Sequence, residues 1–188
     1  SPEIRRSLFL GNTAKDMGGG MLNLMGNPVI TNCTFSGNEG VRGGAMANFQ
    51  STVTMRSSTL AGNEGSTAAG VYAYDGSFSA VNSIFWNPSG AEIVSAGGAS
   101  APVTDSVVRG GYTGLGNTGS DPKLGSLAWN GGPTRTMALL SGSPAIDMAS
   151  AFFSPSVDQR GVSRPQKNGH DRGAYEAGIR KMLTIKAS

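Results

Sequence analysis

Apolar and small polar positions alternate along the chain in a stretch that returns about every 25 residues. Copies of this stretch occupy residues 4–12, 30–38, 55–63, 80–87 and, in a weaker form, 103–108. A fixed period of this size is typical of a solenoid, because one repeat cannot bury its apolar face alone and must stack on its neighbours. The pattern therefore predicts a stacked repeat before any single residue is considered.

Two columns of equivalent positions in these copies are predicted to face the core. Each copy opens with an apolar residue, and a second apolar residue, mostly a large one, follows five positions later. These residues are Ile4, Ile30, Met55, Ala80 and Val103 in the first column, and Phe9, Phe35, Leu60, Phe85 and Val108 in the second. Small–x–large alternation around the second column is the period of a strand with one buried face.

A column of mostly short polar residues, two positions after the first, predicts a tight bend between two strands. Asn, Asp and Ser favour turns because their side chains bond to the local backbone, and Asn and Asp also tolerate a positive φ. The column contains Arg6, Asn32, Ser57, Asn82 and Asp105. Stacked asparagines in this column are expected to hydrogen-bond from coil to coil.

The single cysteine, Cys33, falls in a column that otherwise holds serine, so it is predicted to fill a buried, serine-sized position. One cysteine cannot form an internal disulfide. A nucleophilic role would need a base nearby. The only histidine, His170, is far away in sequence and is predicted to be a turn residue.

A glycine- or alanine-rich module precedes three of the copies, at residues 18–23, 43–48 and 68–73. Its small residues let the backbone turn tightly. Each coil is then predicted to contain three short strands that pair in parallel, because identical columns overlap only if successive coils run the same way. The predicted fold is all-β, a right-handed, single-stranded parallel β-helix of about four to five coils.

The periodicity fades near residues 110–111, which divides the chain into β-helix coils at 1–111 and an irregular C-terminal segment at 112–188. Further coils are expected before residue 1, because the first copy starts within a repeat. The C-terminal segment has too few apolar runs for its own core, so it is expected to pack on the β-helix or cap it and protect strand edges. The side chains assigned to this contact are Leu124, Leu127, Trp129, Leu139, Leu140, Ile146, Phe152, Phe153 and Tyr175.

Charged residues of the C-terminal segment are predicted to hold it down through ion pairs and turn-forming hydrogen bonds. They are Asp147, Asp158, Arg160, Asp171, Arg172 and Glu176. A calcium site built from Asp147, Asp158 and Asp171 is the alternative, since Ca²⁺ takes carboxylate oxygens. The three acids do not form a contiguous ligand loop.

The repeat motifs carry a family resemblance. Residues 9–12 and 35–38, followed by 18–21 and 43–46, resemble the paired FxxN and GGA(I/L/V) repeats of polymorphic outer-membrane proteins. The resemblance implies a surface-exposed, autotransporter-like β-helix of the pectate-lyase-like type, associated with adhesion. The later copies depart from the pattern, with Leu60 in place of phenylalanine.

Part of the C-terminal segment resembles the signature of the choice-of-anchor Q group over roughly 55 residues, including 158–161 and 171–176. The resemblance implies a secreted bacterial β-helix protein that ends in a surface-anchoring signal, with no shared reaction. Met137 stands where that group usually has a histidine, which argues against catalysis in this segment.

Composition and charge narrow the classes of function. The net charge is +3 and Lys and Arg form no dense cluster, so nucleic acid is not an expected partner. No apolar run approaches the roughly 18 residues that span a bilayer. The expected location is extracellular or on the outer-membrane-associated cell surface of a bacterium.

An active site in the coils would need a pair of acids for hydrolysis. A lyase would need a base beside calcium-binding acids. The acids in the coils are Glu39, Glu64, Asp75, Glu92 and Asp105. Glu39 and Glu64 are expected to stack in a solvated turn. The outer face of one strand set is open to two interpretations, sugar stacking or ordinary surface packing, and contains Leu22, Ala47, Tyr72, Leu24, Phe49 and Tyr74.

We therefore predict a secreted or cell-surface structural or adhesive β-helix protein without catalytic activity of its own. The alternative is a polysaccharide-binding or polysaccharide-degrading lyase or hydrolase whose active site lies partly outside this chain. No residue is assigned a catalytic, cofactor-binding or metal-binding role, and no cofactor is expected. The expected partners are a surface polysaccharide, another copy of the chain or a cell-surface protein.

Overall fold

The computed structural model describes residues 1–178, in which 16 strands are formed. The strands are short because a bend or turn follows each of them. Their bounds are β1 Glu3–Arg5, β2 Leu8–Leu10, β3 Met21–Leu24, β4 Val29–Thr31, β5 Thr34–Ser36, β6 Met46–Phe49, β7 Thr52–Arg56, β8 Thr59–Ala61, β9 Val71–Tyr74, β10 Ser77–Val81, β11 Ile84–Trp86, β12 Ile93–Ala96, β13 Val103–Thr104, β14 Val107–Val108, β15 Leu124–Ala128 and β16 Thr136–Leu139.

The first fourteen strands form three parallel sheets, two of five strands and one of four, in which successive strands come from successive coils. Sheet I has the order β1-β4-β7-β10-β13, sheet II the order β2-β5-β8-β11-β14, and sheet III the order β3-β6-β9-β12. Equivalent columns pair without a slip, as in Ile4 with Ile30 and Phe9 with Phe35. The predicted right-handed parallel β-helix is confirmed, with about four turns.

The core lies inside the coils and contains the two predicted columns together with other inward residues such as Met46, Val53 and Val71. Ile30, Phe35 and Phe85 are fully buried. The rings of Phe9 and Phe35 stack with centroids 4.4 Å apart, and Phe78 meets Phe85 edge to face at 6.3 Å. Aromatic rings therefore contact one another both between coils, at Phe9 and Phe35, and within one coil, at Phe78 and Phe85.

The glycine-rich module takes the tight turn into sheet III. Gly43 has a φ of +79°, and a Cβ there would overlap the backbone carbonyl of Met46. Gly44 has a similar restriction, because a Cβ would meet the carbonyl of Glu64 in the next coil. Only glycine fits where the backbones of successive coils approach this closely.

The bend column adopts the predicted left-handed backbone at every position. The φ values lie between 44° and 55°, at Arg6, Asn32, Ser57, Asn82 and Asp105. The expected coil-to-coil bonding of its asparagines is wrong. Asn32 donates to the carbonyl of Val157 at 2.7 Å and Asn82 to that of Ser150 at 2.9 Å, so both side chains point out and hold the C-terminal segment.

The asparagine ladder lies instead in the column that follows sheet II. Asn38 donates from Nδ2 to Asn63 Oδ1 at 2.8 Å, and Asn63 donates in turn to Asn87 Oδ1 at 2.9 Å. Asn87 donates to both carboxylate oxygens of Glu92, at 2.8 Å from its backbone and 2.5 Å from its side chain. Arg109 pairs with Glu92 at 3.2 Å. The ladder therefore ends on a charge pair, and burial raises the pKa of the Glu92 carboxyl.

Cys33 is fully buried, which confirms the serine-sized position. Its Sγ contacts the carbonyl of Thr31 at 3.4 Å, just as Ser58 Oγ donates to the carbonyl of Arg56 at 2.9 Å. The Cys33 amide donates to Ser58 Oγ at 3.2 Å. The column thus forms a ladder in which a backbone amide donates to the serine hydroxyl of the next coil, as at Ser58 and Ser83. The amide of Cys33 donates in the same way.

The C-terminal segment first covers one end of the coils and then returns along their side. Asn117 accepts the amide of Ser106 at 3.0 Å, and Tyr112 packs against the core. Beyond the antiparallel hairpin β15–β16, the chain runs over the outer face of sheet II. Gln159 accepts from Thr34 Oγ1 at 2.6 Å, and the Ala174 amide donates to Thr59 Oγ1 at 3.0 Å.

A second apolar cluster joins the segment to sheet II. Its members are Ile84, Val107, Leu139, Ala145 and Ala177, with Leu124, Ile146, Trp86 and Tyr175 packed around them. The expected packing of the segment on the β-helix is confirmed. It is wrong for Trp129, Leu140, Phe152 and Phe153, which are exposed. Trp129 lies in the hairpin turn, Leu140 directly follows β16, and the two phenylalanines lie in the Ala151–Phe153 turn.

Candidate binding surfaces

The outer face of sheet III presents two columns of side chains, as expected from the alternation. In the first column Leu22 is exposed, whereas Ala47 is fully buried and Tyr72 nearly so. The second column stays accessible, with Leu24 59% and Tyr74 41% exposed. The structure therefore places the predicted aromatic positions on one face but leaves only part of them open to solvent.

Three rings of this face lie close enough to interact. Phe49 stacks on Tyr74 with centroids 5.5 Å apart and ring planes 28° apart, and it meets Tyr72 at 5.8 Å. We call Leu22, Leu24, Phe49, Tyr72 and Tyr74 the aromatic strip. Strands in a sheet are about 4.8 Å apart. The second column of the strip therefore extends across three coils, along the helix axis.

Polar groups border the aromatic strip. Gln50 donates to the carboxylate of Asp75 at 3.2 Å at the end of β6 and β9. Arg42 pairs with Asp16 at 2.6 Å before sheet III and lies near the hydroxyl of Tyr72. An apolar, ring-lined surface with a few polar groups at its rim is the usual composition of a small-molecule or sugar site.

Glu39 and Glu64 are stacked as expected, in a parallel bridge, and both are exposed. They line a shallow cleft of about 270 Å³ together with Gly40, Gly65 and Ser66. Catalytic carboxyls usually gain their shifted pKa from burial or a like charge. Both side chains of this pair are exposed to solvent, so the site lacks a buried environment.

The acids of the C-terminal segment are occupied by donors of the segment itself. Arg160 pairs with Asp158 at 2.7 Å, and Arg164 pairs with Glu176 at 2.7 Å, with both members of the second pair buried. Glu176 also accepts the amides of Gln166 and Asp171, each at 3.0 Å. These contacts join residues of the 158–176 region into one buried network. The sequence predicted that Asp158, Arg160 and Glu176 form such contacts, but it missed Arg164.

Asp171 binds the backbone on both of its oxygens, accepting from the amides of Asp147 at 2.7 Å and Ala177 at 2.5 Å. Burial raises the pKa of Asp171 to about 6. The alternative calcium site has no geometric support, since residues 1–178 contain no group of three or more acidic, His or Cys side chains that could hold a metal ion. His170 pairs through its backbone with Ala149, and burial lowers the pKa of its imidazole.

Residues 1–110 match the family model described as the right handed beta helix region. This chain belongs to the right-handed β-helix family. No curated protein and no solved structure matches it. No helix in residues 1–178 of this β-helix protein is long and apolar enough to cross a membrane.

The β-helix also carries a groove that the sequence did not indicate. The outer face of sheet I forms its floor, and the 3-10 turn Ala151–Phe153 forms one wall. Two adjoining clefts of about 330 and 200 Å³ share Arg56 and Phe153 in their lining. The sequence repeats indicate which residues of sheet I face outward. They do not indicate that the Ala151–Phe153 turn, about a hundred residues later, lies beside Arg56.

Proposed function

We propose that this β-helix is a non-catalytic, adhesive protein of the bacterial cell surface that binds a polysaccharide chain on the aromatic strip. The observation that supports the proposal is the stacked pair Phe49 and Tyr74 on an exposed, ordered sheet face. Aromatic rings offer large apolar faces with little conformational freedom to lose on binding. The apolar face of a sugar ring can stack on such a surface.

The shape of the strip suits an extended chain. Leu24, Phe49 and Tyr74 lie in register on β3, β6 and β9. With strands roughly 4.8 Å apart, the column covers roughly 10 Å along the helix axis. Gln50 and Asp75 at its margin provide a donor and an acceptor for sugar hydroxyls. A polysaccharide would therefore lie across the strands and not along them.

Surface location and adhesion are proposed from the resemblances of the repeats and of the C-terminal segment. In this proposal the buried pair of Arg164 and Glu176 has a mechanical role, because it braces the segment that Gln159 and Ala174 attach to sheet II. Glu39 and Glu64 are assigned no catalytic role, since both side chains are solvated.

Binding to neutral polysaccharides tests the proposal. Native gels containing β-glucan, xylan or mannan should retard the protein, and Tyr74→Ala should reduce the retardation severalfold. Trp129→Ala is the matched control, because Trp129 is an exposed aromatic residue of the hairpin, 71% accessible and far from sheet III in sequence. An equal loss in both variants, or no loss in Tyr74→Ala and Phe49→Ala, would exclude the aromatic strip as the binding surface.

A further inference from the structure

We propose that Asn168 is a site of spontaneous covalent modification, in which its side-chain amide is converted to a carboxylate by cyclisation onto the backbone nitrogen of Gly169. The carboxylate of Asp147 accepts the proton of that nitrogen. The modification weakens the contacts that hold two stretches of the C-terminal segment together. It does not depend on the polysaccharide binding proposed above.

Asparagine followed by glycine, the pair at which such cyclisation is least hindered, occurs twice in the chain. The first pair, Asn130–Gly131, is held by the hairpin, because Asn130 Nδ2 donates to the carbonyl of Thr136 at 2.8 Å and to its Oγ1 at 3.3 Å. In the second pair, Asn168 is exposed in a bend, and its side chain forms no hydrogen bond within residues 1–178. Of the two asparagines, Asn168 alone can turn its amide carbon towards the next nitrogen without breaking a contact.

A base already contacts the proton that this reaction must remove. The backbone amide of Gly169 donates to Asp147 Oδ1 at 2.9 Å. A carboxylate at this distance can accept the proton while the nitrogen attacks. The N–H bond lies in the plane of the peptide group, whereas the amide carbon of Asn168 approaches from above or below that plane. The hydrogen bond to Asp147 therefore leaves the attacking face of the nitrogen open.

The fold itself requires glycine after Asn168. A Cβ at Gly169 would lie 2.9 Å from the carbonyl oxygen of Asp147, which is closer than a side chain normally packs. This close approach arises because the next residue, His170, forms an antiparallel bridge with Ala149, whose amide donates to the His170 carbonyl at 2.9 Å. The contact that excludes a side chain at residue 169 thus also keeps the reactive nitrogen unhindered.

The reaction consumes water and releases ammonia. The nitrogen of Gly169 bonds to Asn168 Cγ, the bond from Cγ to Nδ2 breaks, and Nδ2 leaves as ammonia with the proton that Asp147 has accepted. Water then hydrolyses the resulting cyclic imide at either of its carbonyl carbons. One product is aspartate with a normal main chain. The other is isoaspartate, in which the main chain runs through the side-chain carbons of residue 168.

Both products weaken the attachment of residues 169–172 to residues 145–149. The isoaspartate lengthens the main chain before Gly169, so the Gly169 amide no longer matches the position of Asp147 Oδ1. That position matters because the backbone amide of Asp147 also donates to Asp171 Oδ1, at 2.7 Å. Either product adds a negative charge to the residue directly before this contact, where it repels the Asp147 carboxylate. The C-terminal segment is therefore held less firmly, while the coils are unchanged.

Peptide mapping by mass spectrometry, after incubation of the intact protein in mildly alkaline buffer, tests the site. Asn168 should be modified at least about tenfold faster than Asn130 in the native protein, because Asn130 reacts only after its hydrogen bonds open. In denaturant the two rates should become similar, since both asparagines precede glycine. Equal rates in the native protein, faster modification of Asn130, or no modification of Asn168 would overturn the proposal.

Asp147→Asn tests the base. Asparagine tolerates the left-handed backbone of residue 147, whose φ is 58°, and its side-chain oxygen still accepts from Gly169, but it is too weak a base to take the proton. The variant should slow the modification of Asn168 at least about fivefold, because the general base is lost. An unchanged, slow rate at Asn130 shows that the variant is folded. An unchanged rate at Asn168 would overturn the role of Asp147 as proton acceptor.

Limited proteolysis of fresh and aged protein measures the effect on the C-terminal segment. Aged wild type should be cut faster within residues 145–172, because locally opened segments are the ones that proteases reach. Asn168→Gln is the matched control, since its longer side chain must close a larger ring, and its rate of cleavage should not change on ageing. Equal protection of fresh and aged wild type, once Asn168 has been modified, would contradict the loosening of the segment.

Discussion

Asn38 and Asn63 lie one coil apart, and Asn38 Nδ2 donates to Asn63 Oδ1 at 2.8 Å while the Asn38 backbone amide donates to the same oxygen at 3.1 Å. The Asn63 amide group also donates to the carbonyl of Phe35 at 3.0 Å. The Asn63 side chain thus joins Asn38 and Phe35 of the preceding coil to the Asn87 side chain of the next coil. Fully satisfied buried amides of this kind fix the register of the coils.

Asn63→Ala should lower the free energy of unfolding by about 3 kcal/mol, because it leaves several buried donors and acceptors without partners. Asn12→Ala is the matched control. Asn12 occupies the same column but is exposed and donates only to Asn38. Its loss should cost less than about 1 kcal/mol in urea unfolding. If the two substitutions lowered the unfolding free energy equally, the buried hydrogen bonds of the ladder would contribute no more than the exposed one at Asn12.

The sequence predicted that asparagines stack from coil to coil, but it assigned the stacking to the wrong column. Asparagine recurs in four successive coils of the Asn38 column but only at Asn32 and Asn82 in the bend column, and spacing alone does not tell which side chains point inward. The backbone decides this, because the left-handed bend at Asn32 turns its side chain outward to Val157. The repeat spacing therefore predicts the coils and their register. It does not predict whether a polar side chain points inward or outward.

Phe35→Ala should be among the most destabilising single substitutions, with a loss of about 3–5 kcal/mol on chemical denaturation. Phe35 is fully buried, stacks on Phe9 and lies in the middle of the core. Leu24→Ala, on the exposed face of sheet III, should cost well under half as much. A loss below about 1 kcal/mol for Phe35→Ala would contradict the inward position of its column.

Cys33 should react with thiol reagents only after unfolding. It is fully buried, and burial raises the pKa of its thiol to about 11, so very little thiolate forms at neutral pH. Labelling followed by mass spectrometry should show modification only in denaturant. Cys33→Ser should change stability by less than about 1 kcal/mol, since serine occupies the equivalent position of the other coils. Rapid labelling of the native protein would exclude the buried position.

Asp171 should make the C-terminal segment less stable as the pH rises from 4 to 7. Burial raises its folded-state pKa from 3.8 to about 6, so between these values the folded protein binds more protons than the unfolded chain. Stability from this group is complete below about pH 4 and is lost as the pH rises through about 6. The stability of the wild type relative to Asp171→Asn should therefore fall over this interval in urea unfolding. If the difference in unfolding free energy stayed constant or rose with pH, the pKa of the Asp171 carboxyl would not be raised in the folded protein.

The C-terminal segment shows where sequence reasoning stops. Asp158 and Arg160 were predicted to form ion pairs or turn-forming hydrogen bonds that hold the segment down, and they pair with each other. Phe152 and Phe153 were expected to be buried because they are apolar, yet Asn82 holds their turn above sheet I. That contact joins residues 68 apart in sequence, and no local pattern encodes it.

The claim that this β-helix is not catalytic is tested most directly by incubation with polygalacturonate, followed by assays for the reducing and unsaturated sugar ends that cleavage would release. The account predicts that the polymer is recovered at its original length, with or without calcium. Release of sugar ends that disappears in Glu39→Gln or Glu64→Gln would contradict it. The exposed acid pair before sheet III would then be an active site.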